Sequence, residues 1–218
     1  MSDKFTQRRA ELASAALQTL TELGYAHTSL REIAQNSRFS HGVLHYYFTD
    51  KIDLITYCIR DFKTQCIQKY DEITSGAGDY NELTEHFLQS LKRSLHEDAL
   101  LHRLWYDLRS QTMFQNAFRS EVMEIDSNIE DMIWRIVSTA IELKGEEPAL
   151  SSRVVYATID GLFQHALIRH LADAPDAGDE MELAIRRFLP IVGQPKPAGR
   201  PAARTSERKQ KVMHSETA

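Results

Sequence analysis

The sequence predicts an all-α protein. Apolar residues recur at three- and four-residue spacing through most of the 218 residues, and the Val/Ile/Thr alternation of a half-buried strand is absent. Glycine, proline and capping residues divide this pattern into nine segments of helical length.

The first segment runs from about residue 4 to Leu23. Phe5, Leu12, Ala13, Ala16, Leu17, Leu20 and Leu23 share one face, and Gly24 supplies a stop. Thr28 or Ser29 opens the second; Ser29 with Glu32 three residues on has the form of a capping box, and Leu30, Ile33 and Ala34 form its buried side. Ser40 caps a short third helix ending near Phe48, and Asp50 opens a fourth that continues to about Ile73. Beyond a loop from Ser75 to Asp79, amphipathic segments cover roughly 80–96, 98–110 and 115–144. Pro148 marks the start of the next, which runs to about Leu171, and a last helix covers about 179–190. From Gly193 the chain holds three Pro, two Gly and many charges with little to bury, so it is expected to be a disordered basic tail. The expected division is therefore a three-helix unit at 1–49, a bundle of about six helices at 50–192, and a tail at 193–218.

Composition narrows the classes. No apolar run reaches membrane-spanning length, and the N-terminus lacks the apolar stretch of a secretory signal, so a cytoplasmic protein without membrane contact is expected. Cys58 and Cys66 lie eight residues apart on one helix, roughly 12 Å by helical rise, too far for a disulfide. Net charge is -5 but unevenly spread. Residues 1–51 hold six Lys/Arg against five Asp/Glu, residues 193–218 hold six against two, and the middle holds 14 against 24. An acidic body with neutral or basic ends fits a chain that touches phosphates with one part only.

The informative block is Ser29 to Phe48, a capped helix, a tight connection and a second capped helix of barely two turns. Helices that short must pack on the first, with Ala34 at a close crossing and Phe39, Leu44 and Phe48 inward. His41, Gly42, Val43, His45 and Tyr46 then face out from the helix that Ser40 caps, nearly free of charge, as required of a helix that enters the major groove of duplex DNA. Thr28, Ser29, Tyr47 and Lys51 surround it as phosphate contacts, with Lys4, Arg8 and Arg9 on the flank.

The run GYAHTSLREIAQNSRFSHGVLHYYFTDKIDLI resembles the DNA-binding domain of the TetR family of bacterial regulators. The match rests on Gly24-Tyr25, Thr28-Ser29, Ile33-Ala34, Ser40-x-Gly42-x-Leu44, Tyr47-Phe48, and Lys51 with Leu54, over about fifty residues without insertion. The HYYFTDK ending looks closest to the branch that includes the choline-responsive regulator of betaine synthesis. There are two departures: Arg38 stands where the family usually has a turn glycine, implying strain or a reshaped turn, and His45 replaces the usual tyrosine.

Thr158 to Leu167 (TIDGLFQHAL) resembles the penultimate helix of many members, whose last two helices pair with those of a second subunit. The resemblance implies a homodimer on a palindromic operator. Tyr156, Ile159, Phe163, Leu167, Ile185 and Phe188 are the expected interface, although their stripe also fits an internal core. The resemblance further implies a repressor released by a small-molecule effector, bound among the middle helices and acting by tilting the fourth helix. Trp105, Tyr106, Arg109, Phe114, Gln164 and His165 are the expected pocket residues. An activator, or a regulator that needs no effector, has the same sequence signature.

Catalysis, cofactors and metals are not expected. There is no Gly-x-Ser-x-Gly elbow and no phosphate loop. The rival class is a helical metal-dependent enzyme built on His41 and His45, but Gly42 stands where a zinc protease needs Glu. Arg200, Arg204, Arg208, Lys209 and Lys211 of the tail could attract DNA without sequence preference.

Overall fold

The computed structural model describes residues 3–24 and 28–196. Tyr25 of the sequence match and the basic tail from residue 197 onward lie outside the described residues. Within them are nine α-helices: α1 (Asp3–Leu23), α2 (Leu30–Gln35), α3 (His41–Tyr47), α4 (Lys51–Gly76), α5 (Tyr80–Glu97), α6 (Ala99–Gln111), α7 (Arg119–Leu143), α8 (Ser152–His170) and α9 (Ala177–Val192). No helix among the described residues is long and apolar enough to cross a membrane.

Local chemistry sets most boundaries. Gly24 takes φ +73°, the left-handed geometry that ends α1 without a Cβ penalty. Ser29 and Ser40 accept bonds from the amides of Glu32 (3.2 Å) and Val43 (3.3 Å), which is the capping expected of them. Asp50 caps α4 through the amides of Ile52 and Asp53. The fourth helix extends past the expected Ile73 to Gly76, and α7 starts at Arg119 rather than 115.

The expectation of no strand is corrected. β1 (Glu146–Pro148) pairs antiparallel with β2 (Gly193–Pro195), Glu147 opposite Gln194. Pro148 therefore ends a strand instead of starting a helix, and α8 begins at Ser152. The expected tail likewise loses its first three residues to the ribbon. The physical reason is geometric: α9 returns its C-terminus beside the end of α7, and Gly193 leaves the room that the Glu146 carboxylate fills.

Packing forms two cores. One joins Leu12, Ala16, Leu20, Ile33, Leu44 and Phe48 to Leu54, Ile55 and Ile59 of α4, Leu104 and Leu108 of α6, and Val122 and Ile125 of α7. The other joins the end of α4 to α5, α7, α8 and α9. The first three helices thus do not close their core at residue 49. It continues through α4 and α6, so displacement of either helix reaches them.

Candidate functional site

Leu44 and Phe48 are fully buried, and this fixes the rotation of α3. On the side turned away from these two, His41, Gly42 and His45 are exposed and Tyr46 is 72% exposed, with Val43 and Tyr47 half-buried at the edges. The expected reading residues therefore share one outward face. The His41 and His45 rings meet edge to face at 4.4 Å. Phe5 of α1 lies 4.8 Å from the Tyr47 ring and 6.2 Å from Tyr46, so the first turn of α1 braces the last turn of α3. Among the described residues no third His, Cys, Asp or Glu joins the histidines in a metal-binding group.

The turn before α3 is not left-handed at Arg38, since Asp173 is the one described non-glycine residue with positive φ. Arg38 carries no strain of that kind and lays its guanidinium 5.0 Å over the Phe39 ring. Two expected phosphate contacts are corrected. Thr28 is buried and its hydroxyl donates to the Gly24 carbonyl at 2.5 Å, which commits its proton to closing α1. Arg9 pairs with Asp53 and stacks between Phe48 and Tyr57, so it locks α1 to α4. Ser29 is half-buried at the start of α2, as Lys51 is at the first position of α4.

The second site lies in the body. A cavity of about 60 Å³ sits between α4, α5, α6, α7 and α8. Trp105 and Tyr106, two of the expected pocket residues, line it among Tyr70, Tyr156, Phe163 and aliphatic side chains. Arg109 stands behind the wall, paired with Asp160 (2.6 Å) and Asp126 (3.3 Å). The other expected pocket residues are corrected: Phe114 is 81% exposed in the turn after α6, and Gln164 and His165 lie on the outer face of α8.

Sequence reasoning missed the polar chain in this cavity. The Lys63 ammonium donates to His102 Nδ1 at 3.2 Å, His102 Nε2 meets the Ser94 hydroxyl at 2.8 Å, and Ser94 donates to Asp98 at 3.2 Å. Burial pulls the Lys63 pKa down to about 8. Burial, then the neighbouring ammonium, holds His102 well below the usual imidazole range. Asp160 accepts from the Tyr106 hydroxyl at 2.8 Å as well as from Arg109. A signal for Lys63 existed in the sequence: it interrupts the stripe Ile55, Ile59, Phe62, Cys66 and Tyr70 on α4.

The expected dimer surface is also corrected. Tyr156, Ile159, Phe163, Leu167 and Ile185 are all buried in the chain's own core, and Phe188 is half-buried against it. The opposite face of α8 presents Val154, Ala157, Gly161, Gln164, His165 and Ile168, and α9 adds Leu183 and Ile191. Val154 is 48% exposed, Ile168 63% and Ile191 64%, an apolar surface on two adjacent helices.

Residues 12–58 match the family model described as bacterial regulatory proteins, tetR family. The HTH-type transcriptional regulator BetI of Cronobacter sakazakii is 25% identical over 171 residues, covering 74% of this chain and 80% of the relative. Among solved structures, a TetR transcription regulator from Haloarcula marismortui has a TM-score of 0.71 at 18% identity, covering 87% of this chain and all of that one. A transcriptional regulator from Saccharomonospora viridis in complex with choline has a TM-score of 0.69 at 13% identity, covering 87% and 99%.

Proposed function

Because this chain is a DNA-binding transcriptional regulator of the TetR family, we propose that it works as a two-fold dimer that represses from a palindromic operator and is released by a small molecule. The carrying observation is the outward face of α3, with His41, Gly42, His45 and Tyr46 exposed together over a buried Leu44 and Phe48. A helix of two turns so presented enters a major groove with its N-terminal turn first. Val43 and Tyr47 flank it, Ser40 caps it, and Ser29 and Lys51 hold phosphates on either side. Two such heads, joined through the outer faces of α8 and α9, address half-sites about one helical turn (~34 Å) or a multiple apart.

The body cavity is the effector site in this reading. A neighbour of the same fold is a complex with choline, which supports a small molecule as a ligand of this fold. Trp105 packs in the core shared with α1 while lining the cavity, and Arg103 on the same helix donates to the Thr21 carbonyl of α1. A ligand lodged against Trp105 and Lys63 bears on α6 and α4 together, and through them on the angle of α3. Its effect depends on differential binding alone: moving a 1:99 balance to 99:1 takes roughly 5.5 kcal/mol.

The test is selection of bound duplexes from a random library by the purified protein, followed by footprinting. A protected palindrome is expected, and its absence overturns the reading. In the same assay Lys51→Ala is expected to weaken all duplexes alike and to reduce the salt slope by about 0.9, the contribution of one phosphate. An unchanged slope removes Lys51 from the phosphate contacts.

A further inference from the structure

Lys63 is a buried ammonium, 7% exposed, on the wall of the body cavity. Its surroundings do not balance its charge. It forms no ion pair with a carboxylate among the described residues; it hydrogen-bonds to His102 and lies near the rings of Phe62 (5.2 Å) and Trp105 (5.4 Å), with Cys66 one turn along the same helix and Asp160 and Asp98 acting on it from a distance. His102 is uncharged in this position, because its Nδ1 must accept from the ammonium while Nε2 faces Ser94. Asp98 is reached only through two intervening groups. The remaining carboxylate of the wall, Asp160, is already saturated by Arg109 and the Tyr106 hydroxyl. The cavity thus holds a positive charge that no carboxylate touches directly, on a wall whose remaining polar groups are Cys66, Ser94, His102 and the paired Asp160 and whose larger part is aromatic and aliphatic.

We propose that this cavity takes a small monocarboxylic acid with a flat apolar body, whose carboxylate pairs with Lys63 while the body lies among Trp105, Tyr106, Tyr156 and Phe163. A buried charge without a partner is costly, and an anion in the cavity supplies the partner that the chain lacks. The volume sets the size: about 60 Å³ accommodates roughly four to six water centres, the room needed by about one ring and its carboxylate. Cationic ligands are disfavoured, since Asp160 is occupied and Lys63 repels them. The inference deepens the effector reading above and rests on it for its regulatory meaning.

The experiment is calorimetric titration of the full-length protein, without DNA, with benzoate, phenylacetate and hexanoate, each against its amide, and with benzyltrimethylammonium. At least one acid is expected to bind once per chain, at least tenfold tighter than its amide. Lys63→Met, which keeps the volume and removes the charge, is expected to lower that affinity at least tenfold while its thermal unfolding stays cooperative. The proposal is overturned if no acid surpasses its amide, if the ammonium compound binds best, or if Lys63→Met binds the acid as tightly as the native chain. Operator release is measured separately. An acid that binds but leaves the operator complex intact sustains the ligand class and sinks the effector role.

Discussion

Gly161→Glu is expected to leave the chain folded, abolish the dimer and weaken operator binding by roughly 10²- to 10⁴-fold, the range by which two linked heads exceed one. Gly161 lies in the middle of the outward face of α8, and a Cβ built there meets nothing within 4 Å in the single chain. Glycine inside a helix costs about 1 kcal/mol relative to good helix formers, so the substitution favours α8 itself. In a two-fold dimer it places two carboxylates near the axis, facing each other in a desolvated seam. Analytical ultracentrifugation beside anisotropy with the operator reads both effects. A variant that remains dimeric removes the α8 face from the interface.

Lys63→Met is expected to raise stability at pH 7 by about 2 kcal/mol and to flatten its dependence on alkaline pH. Lys63 titrates near 8 in the folded protein against an ordinary value of 10.5, with burial as the leading cause. Below pH 8 the native state carries the full cost of a buried ammonium, on the order of 3 kcal/mol for that difference. Between pH 8 and 10.5 the unfolded chain binds the extra proton, so native stability rises with pH. Cys58, pushed up to about 12 first by burial and then by Asp61, acts in the opposite sense from pH 9 upward. The rise is therefore clearest between pH 8 and 9. Methionine removes the ammonium but leaves His102 Nδ1 without its donor, which returns about 1 kcal/mol. Urea unfolding at pH 7, 8 and 9 measures the difference. A destabilised variant with the same pH slope as the native chain contradicts a charge without a direct carboxylate partner at this position.

Much of the fold was legible because its signals are local. Ser29, Ser40 and Asp50 begin helices through their own side-chain oxygens, and Gly24 ends one through its own φ, so neighbours in sequence suffice to place them. The outward face of α3 was legible for a related reason: Leu44 and Phe48 cannot both be exposed on so short a helix. The ribbon of Glu146–Pro148 with Gly193–Pro195 was not, because its pairing depends on where α9 returns and neither segment has strand composition. The dimer face failed for a different cause. α8 is apolar on two sides, and the larger side chains (Tyr156, Ile159, Phe163) sit in the core while the smaller ones (Ala157, Gly161) face out. Periodicity identifies a stripe but not what covers it. Arg9 and Thr28 were misplaced because their partners, Asp53 and the Gly24 carbonyl, follow from tertiary contact and loop geometry.

The central claim is that α3 reads bases with its exposed face. The most direct measurement compares native protein and Tyr46→Ala, at one salt concentration, on the selected operator and on a scrambled duplex of equal length. Loss of a base-facing ring predicts roughly a 10- to 100-fold drop on the operator, about 1–3 kcal/mol, with the scrambled duplex bound as before. Equal operator affinity for the two proteins would contradict the claim.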